Sequence, residues 1–234
     1  MLKTKTVEIV KKYTSEFLLI FISVILAFAM TEWSNSNNDK VSEEKLVFEI
    51  KKGLDKDITD FTNNINGNKI SLKAINYFRN WLNNKSVNQD SVAFYYSILY
   101  RTYAPIINKS GYESLKATNL KVIANDSIRN QVINLYEYHY KIIETLEIGS
   151  EEMQDFKNYY KPTNDIISEY FIFNEDGKIT GIKEKVNVSE KSRKELLSYF
   201  WKVEFNRNFK LLRYNQALEQ IKITDRNLSS FLRK

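Results

Sequence analysis

Fifteen uncharged residues, Phe17 to Thr31, separate Glu16 from Glu32 near the start of the chain. A helix needs roughly 20 mainly apolar residues to cross the ~30 Å hydrocarbon layer of a bilayer. The run reaches that length once Tyr13, Thr14 and Ser15 are added before it and Trp33 after it. Lys11 and Lys12 then reach back to the headgroups, and Tyr13 and Trp33 fall where interfacial aromatics belong. Glu16 and Glu32 lie near the edges of the layer, away from the centre where a carboxylate costs several kcal/mol. This placement makes residues 13–33 a transmembrane helix and Tyr13, Glu16, Phe17, Leu18, Ile20, Ile25 and Trp33 its anchoring side chains. Two other assignments use the same letters. One is a buried core helix. The other is a signal peptide cut after the A-x-A pattern Ala27-Phe28-Ala29, which would remove residues 1–29.

Orientation follows from lysine. Residues 1–15 hold Lys3, Lys5, Lys11 and Lys12, whereas the first fifteen residues after Glu32 hold Lys40 and Lys45 alone. The positive-inside bias puts residues 1–12 in the cytoplasm as a short arm. The expected location is the inner membrane, single-pass, with residues 34–234 forming an extracytoplasmic, periplasmic domain. Ser15, Ser23, Ala27 and Thr31 recur at multiples of four, a spacing of small residues that lets two membrane helices approach closely. They are the expected helix-association face.

Beyond the anchor, about 200 residues suffice for one domain with its own core. Six Gly and two Pro in 234 residues leave few breakers, which favours long helices. The expected fold class is all-α: a transmembrane helix followed by a multi-helix bundle, with at most one small β-hairpin near 170–182. Val47, Ile50, Leu54, Ile58, Phe61 and Ile65 step by three or four, the stripe of an amphipathic helix. Asn64 to Asn68, with Gly67, reads as its end. A second helix is expected over Ile70–Leu82, with Ile75, Phe78, Trp81 and Leu82 inward, and a third over Ser91–Tyr103. A short helix spans Tyr112–Thr118. Asp126 reads as the N-cap of a long helix through Leu146, and Glu151–Tyr160 as helix up to Pro162. Asp176-Gly177 between apolar runs signals the hairpin turn. Ser189 caps a final helix through Leu196, Phe200, Val203, Phe209 and Leu212.

The net charge of +6 is uneven. Residues 1–15 carry +3 and residues 202–234 carry +5, which leaves −2 for the remainder. Lys202, Arg207, Lys210 and Arg213 therefore make an expected basic surface on the last helix. It suits an anionic partner or simply a solvated helix face, the latter being favoured.

Two stretches resemble a known family. The first is Glu16-Phe-Leu-Leu-Ile-Phe-Ile-Ser-Val-Ile-Leu-Ala-Phe28 followed by Glu32-Trp33-Ser-Asn35. The second runs from Gly111-Tyr-Glu-Ser-Leu115 through Thr118-Asn-Leu120 to Ile133-Asn-Leu-Tyr136. Together they are similar to a large family of uncharacterised single-pass membrane proteins of Bacteroidota. Glu16, Trp33, Tyr112, Leu115, Asn119, Leu120, Ile133 and Tyr136 match by type and place. Thr118 stands where a Gly is usual and Glu32 where an Asn is. The resemblance covers the chain up to about residue 145. It implies a retained anchor and a helical domain, and it implies no activity.

The inventory for chemistry is thin. There is no cysteine, so a disulfide, a thiolate metal site and a cysteine nucleophile are excluded. His139 is the only histidine, and a di-iron bundle needs two Glu-x-x-His motifs. Asn174-Glu-Asp-Gly177 fails as a calcium loop, because Ile172 and Lys183 would occupy positions that require Asp and Glu. Asp55 and Asp57 point about 200° apart on a helix. The tyrosine-rich segments have helical spacing, which points to packing more than to base stacking or a ligand cleft. No enzyme activity, cofactor, metal or small-molecule substrate is expected, and no nucleic acid. The expected partners are membrane lipid and either a second copy or another envelope protein. The expectation is a membrane-anchored scaffold or sensor-type binding protein. Its alternatives are a subunit of a larger membrane complex that uses Glu16 between helices, and a reversed topology with the basic last helix on nucleic acid.

Overall fold

The computed structural model describes residues 2–149 and 156–233, with side chains from Glu16 onward except those of residues 156, 157 and 159. Among the described residues its regular structure is helical apart from one two-stranded hairpin. The dominant element is α1, Leu2–Leu82, a single helix of 81 residues that passes from the apolar segment straight into the core. It stops where Asn84 takes a left-handed conformation (φ 55°). Lys85 N–H then closes back on the Asn80 carbonyl at 3.0 Å, the hydrogen bond that seals a helix C-terminus.

The break expected at Asn64–Asn68 is absent. Gly67 serves close approach instead: a Cβ there would lie 2.2 Å from the Tyr103 ring. Asn68 stays helical, donating from Nδ2 to the Asn64 carbonyl (3.0 Å) and to Tyr103 O (3.2 Å). Tertiary contact thus overrides the local turn signal.

After α1 come α2 (Val92–Leu99), α3 (Ser110–Thr118) and α4 (Asp126–Asn134). A π-helical stretch, Leu135–Tyr140, joins α4 to α5 (Lys141–Ile148). Then follow α6 (Phe156–Ser168), β1 (Phe171–Phe173), β2 (Ile179–Ile182) and α7 (Glu190–Phe231). α2 ends four residues before Tyr103, and the chain from Arg101 to Lys109 has no regular secondary structure. The N-cap of α4 is Asn125, not Asp126; its side chain accepts from Ile128 N–H at 3.1 Å. α6 runs through Pro162. Thr163 and Ile167 are fully buried beyond the proline, and that burial offsets the ~3 kcal/mol a helical proline costs. The part of the expected Glu151–Tyr160 helix before residue 156 lies outside the described residues. Ser189 caps α7 as expected, accepting from Ser192 N–H at 3.0 Å.

β1 and β2 pair antiparallel, Phe171 opposite Ile182, with an irregularity between Ile172 and Phe173. Gly177 turns the hairpin at φ 73°, a conformation that favours glycine.

α7 runs antiparallel to α1, as Lys51–Asp225 (3.3 Å) near one end and the Arg79–Glu204 ion pair near the other show. Two apolar cores are strung along this pair. The one nearer the apolar segment joins Val47, Ile50, Leu54 and Phe61 to Leu115, Val132, Tyr140, Tyr214 and Ile221. The distal one joins Ile75, Phe78, Trp81 and Leu82 to Leu99, Ile167, Phe171, Ile182, Leu196 and Phe200. Every residue of the expected α1 stripe is buried except Ile58, which packs half-covered against the first core.

Candidate functional site

The apolar segment is the first candidate. Among the described residues, α1 is the one helix long and apolar enough to cross a membrane. Its best window has mean hydropathy 2.0, and none of that window is buried against the rest of the chain. Phe17, Leu18, Ile20, Ile25 and Trp33 all stand exposed, Trp33 at 74%. A soluble core helix covers its apolar face, whereas no described residue of this chain covers this one. Length and composition make α1 a candidate span. Ser23 donates to Leu19 O (2.7 Å) and Thr31 to Ala27 O (2.8 Å), so both hydroxyls are satisfied within their own helix. With Ala27 they leave a shallow face on α1. The side chains of Tyr13 and Ser15 lie outside the described ones, and Glu16 is exposed.

The second candidate is a polar seam set along the first core. The strap Arg101–Lys109 runs lengthwise along α1 there, Tyr103 beside Gly67, Ile106 beside Asp60 and Asn108 beside Asp57, held almost wholly by side chains. Asp57, fully buried on α1, accepts from Asn108 N–H (2.9 Å), Asn108 Nδ2 (2.7 Å) and the Tyr140 hydroxyl (2.5 Å). Asp60, one turn on, accepts from Ile106 N–H at 2.7 Å. Tyr136 donates to Asn108 O at 3.1 Å and stacks on Tyr112, ring centroids 4.3 Å apart. The π-helical turn sets Leu135, Tyr136 and Tyr140 inward together.

Burial pushes the Asp57 carboxyl above its ordinary range; hydrogen bonds from Tyr140 and Asn108 pull against that shift. Burial beside Asp57 raises the Tyr140 phenol far above its usual value, so it remains a donor at all ordinary pH.

α7 closes the seam from the other side. Arg207 is 2% exposed and donates through Nη2 to Leu99 O (2.7 Å), satisfying a carbonyl that the end of α2 leaves unpaired. Lys210 pairs with Glu147 of α5 at 3.1 Å. Tyr214 donates to the other oxygen of Glu147 and lies 3.1 Å from Tyr103 O. The basic surface expected on α7 is thus corrected for two of its four members. Arg207 and Lys210 point inward, because they continue the Phe200–Val203–Tyr214 spacing. Lys202 and Arg213 are half-exposed, with Arg213 5.2 Å over the Phe209 ring. The missed signal was a cation at a core position of the repeat. Asp57, between Leu54 and Phe61, is the same signal on α1.

Among the described residues, none is hydrogen-bonded to the side chain of His139. It is half-buried, its burial lowers its basicity, and its ring meets Tyr138. Neighbouring Glu137 is engaged elsewhere, accepting from Lys116 (3.0 Å) and Tyr112 (2.9 Å), which hold its carboxyl below the usual range. Among the described residues no group of three or more His, Asp or Glu gathers to hold a metal. One surface groove, about 650 Å³, lies between Val41, Phe48 and Leu232. The polar seam ties the strap to α1 and α7.

No family model, curated protein or solved structure matches the chain.

Proposed function

We propose that this chain is a membrane-anchored, non-enzymatic helical scaffold or sensor-type binding protein of the cell envelope. It crosses the inner membrane once through residues 13–33, with its N-terminus in the cytoplasm and residues 34–234 on the periplasmic side. The observation that carries this reading is the uncovered apolar stretch of α1, continuous with the helix around which the folded domain is built. Lysine asymmetry supports the orientation. The resemblance to single-pass membrane proteins of Bacteroidota supports a retained anchor over a cleaved signal. The polar side chains at the heart of the domain are used up in holding it together, which supports binding over catalysis.

Protease added to intact spheroplasts tests the topology. The expected result is digestion of the domain without lysis. Protection of the domain until the membrane is broken would refute the orientation. Recovery of the intact chain from the aqueous fraction without detergent would refute the anchor. Ile25→Lys gives a graded check, since a lysine at the centre of a span costs about 3 kcal/mol and should release much of the protein from the membrane fraction.

A further inference from the structure

α7 carries a second apolar stripe. Leu196, Phe200, Val203 and Tyr214 face the cores. On the opposite side, Trp201, Phe205, Phe209 and Leu212 are 62%, 59%, 41% and 52% exposed. At 100° per residue these four fall within about 80° of arc, centred about 180° from the buried face. Trp201 and Phe205 stack, ring centroids 5.7 Å apart. A second apolar face on the side away from the cores is the pattern of a helix built to pack twice.

We infer that the occupant of this second face is a second copy of the same chain, paired side by side through α7 in the same membrane. This rests on the proposed anchor, which restricts the geometry. Copies held in one bilayer point the same way, so a two-fold axis must lie along the membrane normal. α7 runs antiparallel to α1, and two copies of α7 therefore meet in parallel, each residue opposite its own counterpart. The stripe suits that arrangement. Ser198, Trp201, Phe205, Asn208, Leu212 and Asn215 alternate at spacings of three and four, the spacing of a parallel two-stranded seam, here with Trp201, Phe205 and Leu212 as its apolar members. An Asn facing its own copy pairs amide to amide and fixes a parallel register, the role Asn208 takes at the middle.

The apolar area alone meets about half of what such an interface needs. The four apolar side chains expose about 450 Å² per copy, given the 150–250 Å² such side chains can cover. A stable interface buries about 800 Å² per partner, an apolar centre inside a polar rim. Lys202, Arg213 and Gln216 border the stripe and form that rim. The interface is separate from the small-residue face in the membrane.

The absence of cysteine makes the test clean. Ser198→Cys and Gln216→Cys place single thiols five turns apart, on exposed polar positions at the two ends of the stripe. In membranes treated with a mild oxidant, each variant alone should give a disulfide-linked dimer. Adding Phe205→Asp should lower that yield at least tenfold without changing the helical circular dichroism. No dimer from either variant, with the chain in the membrane fraction, overturns the inference and leaves the anchor standing. Linking only when the two variants are mixed means antiparallel packing and also overturns it. A chain found in the aqueous fraction defeats the anchor itself.

Discussion

Gly111 sits where two backbones touch. It lies in the first turn of α3, and a Cβ built on it would come 2.7 Å from Ile50 N and 2.9 Å from both Glu49 C and Ile50 Cα. These are main-chain atoms in the middle of α1, which has no room to yield. Gly111→Ala must therefore push α3 off α1 by about 1 Å, and a gap of that size forfeits roughly a quarter to a half of each dispersion contact it opens. Tyr112 and Leu115, both buried, lose packing together. Overpacking of this kind costs about 1–3 kcal/mol, set against at most ~1 kcal/mol of helix propensity gained from alanine. The net expectation is a loss of about 1–2 kcal/mol, or about 2–8 °C in Tm for a domain of this size. Gly53→Ala is the matched control. There the new Cβ meets Asn108 Cβ at 3.4 Å and Asn108 O at 3.6 Å, ordinary contact distances. That variant should gain up to ~1 kcal/mol. Both are read by thermal and urea unfolding of the full chain in detergent, followed by circular dichroism. A Gly111→Ala protein as stable as the Gly53→Ala protein would refute the close backbone packing of α3 on α1.

Asp57 gives a pH signature. Its folded-state carboxyl is raised by burial, so its contribution to stability is full below the ordinary aspartate range and is lost as pH rises through the elevated value. Asp57→Asn should flatten that part of the urea-midpoint profile relative to wild type; an identical slope in the two proteins would show that Asp57 does not titrate upward. Glu147→Gln leaves Lys210 buried without its counter-charge and should cost about 3–5 kcal/mol. The double variant Glu147→Leu with Lys210→Met should recover most of that loss, and equal damage in single and double variants would argue that the pair is not a coupled unit.

The apolar segment, the α1 stripe and the Asp176-Gly177 hairpin were legible from period and turn chemistry alone, because each is a local pattern. The Gly67 region was misread for the opposite reason. Asparagines and a glycine carry a strong local turn signal, and only Tyr103, thirty-six residues away, shows why they stay helical. Arg207 and Lys210 were misread because charge was given more weight than position. Their spacing from Val203 already placed them inside, and what satisfies them there, Leu99 O and Glu147, lies on other elements. The strap from Arg101 to Lys109 has no periodicity of its own. Its conformation is dictated by carboxylates on α1, which no reading of the strap itself could supply.

The uninterrupted α1 has a mechanical consequence. From Trp33 to Leu82 it spans about 74 Å at 1.5 Å per residue, so the hairpin beside Trp81 rides at the far end of a long lever. A 10° change of tilt at its base would carry that tip about 13 Å sideways. Small rearrangements among neighbouring helices at one end would thereby become displacements the width of a helix at the other.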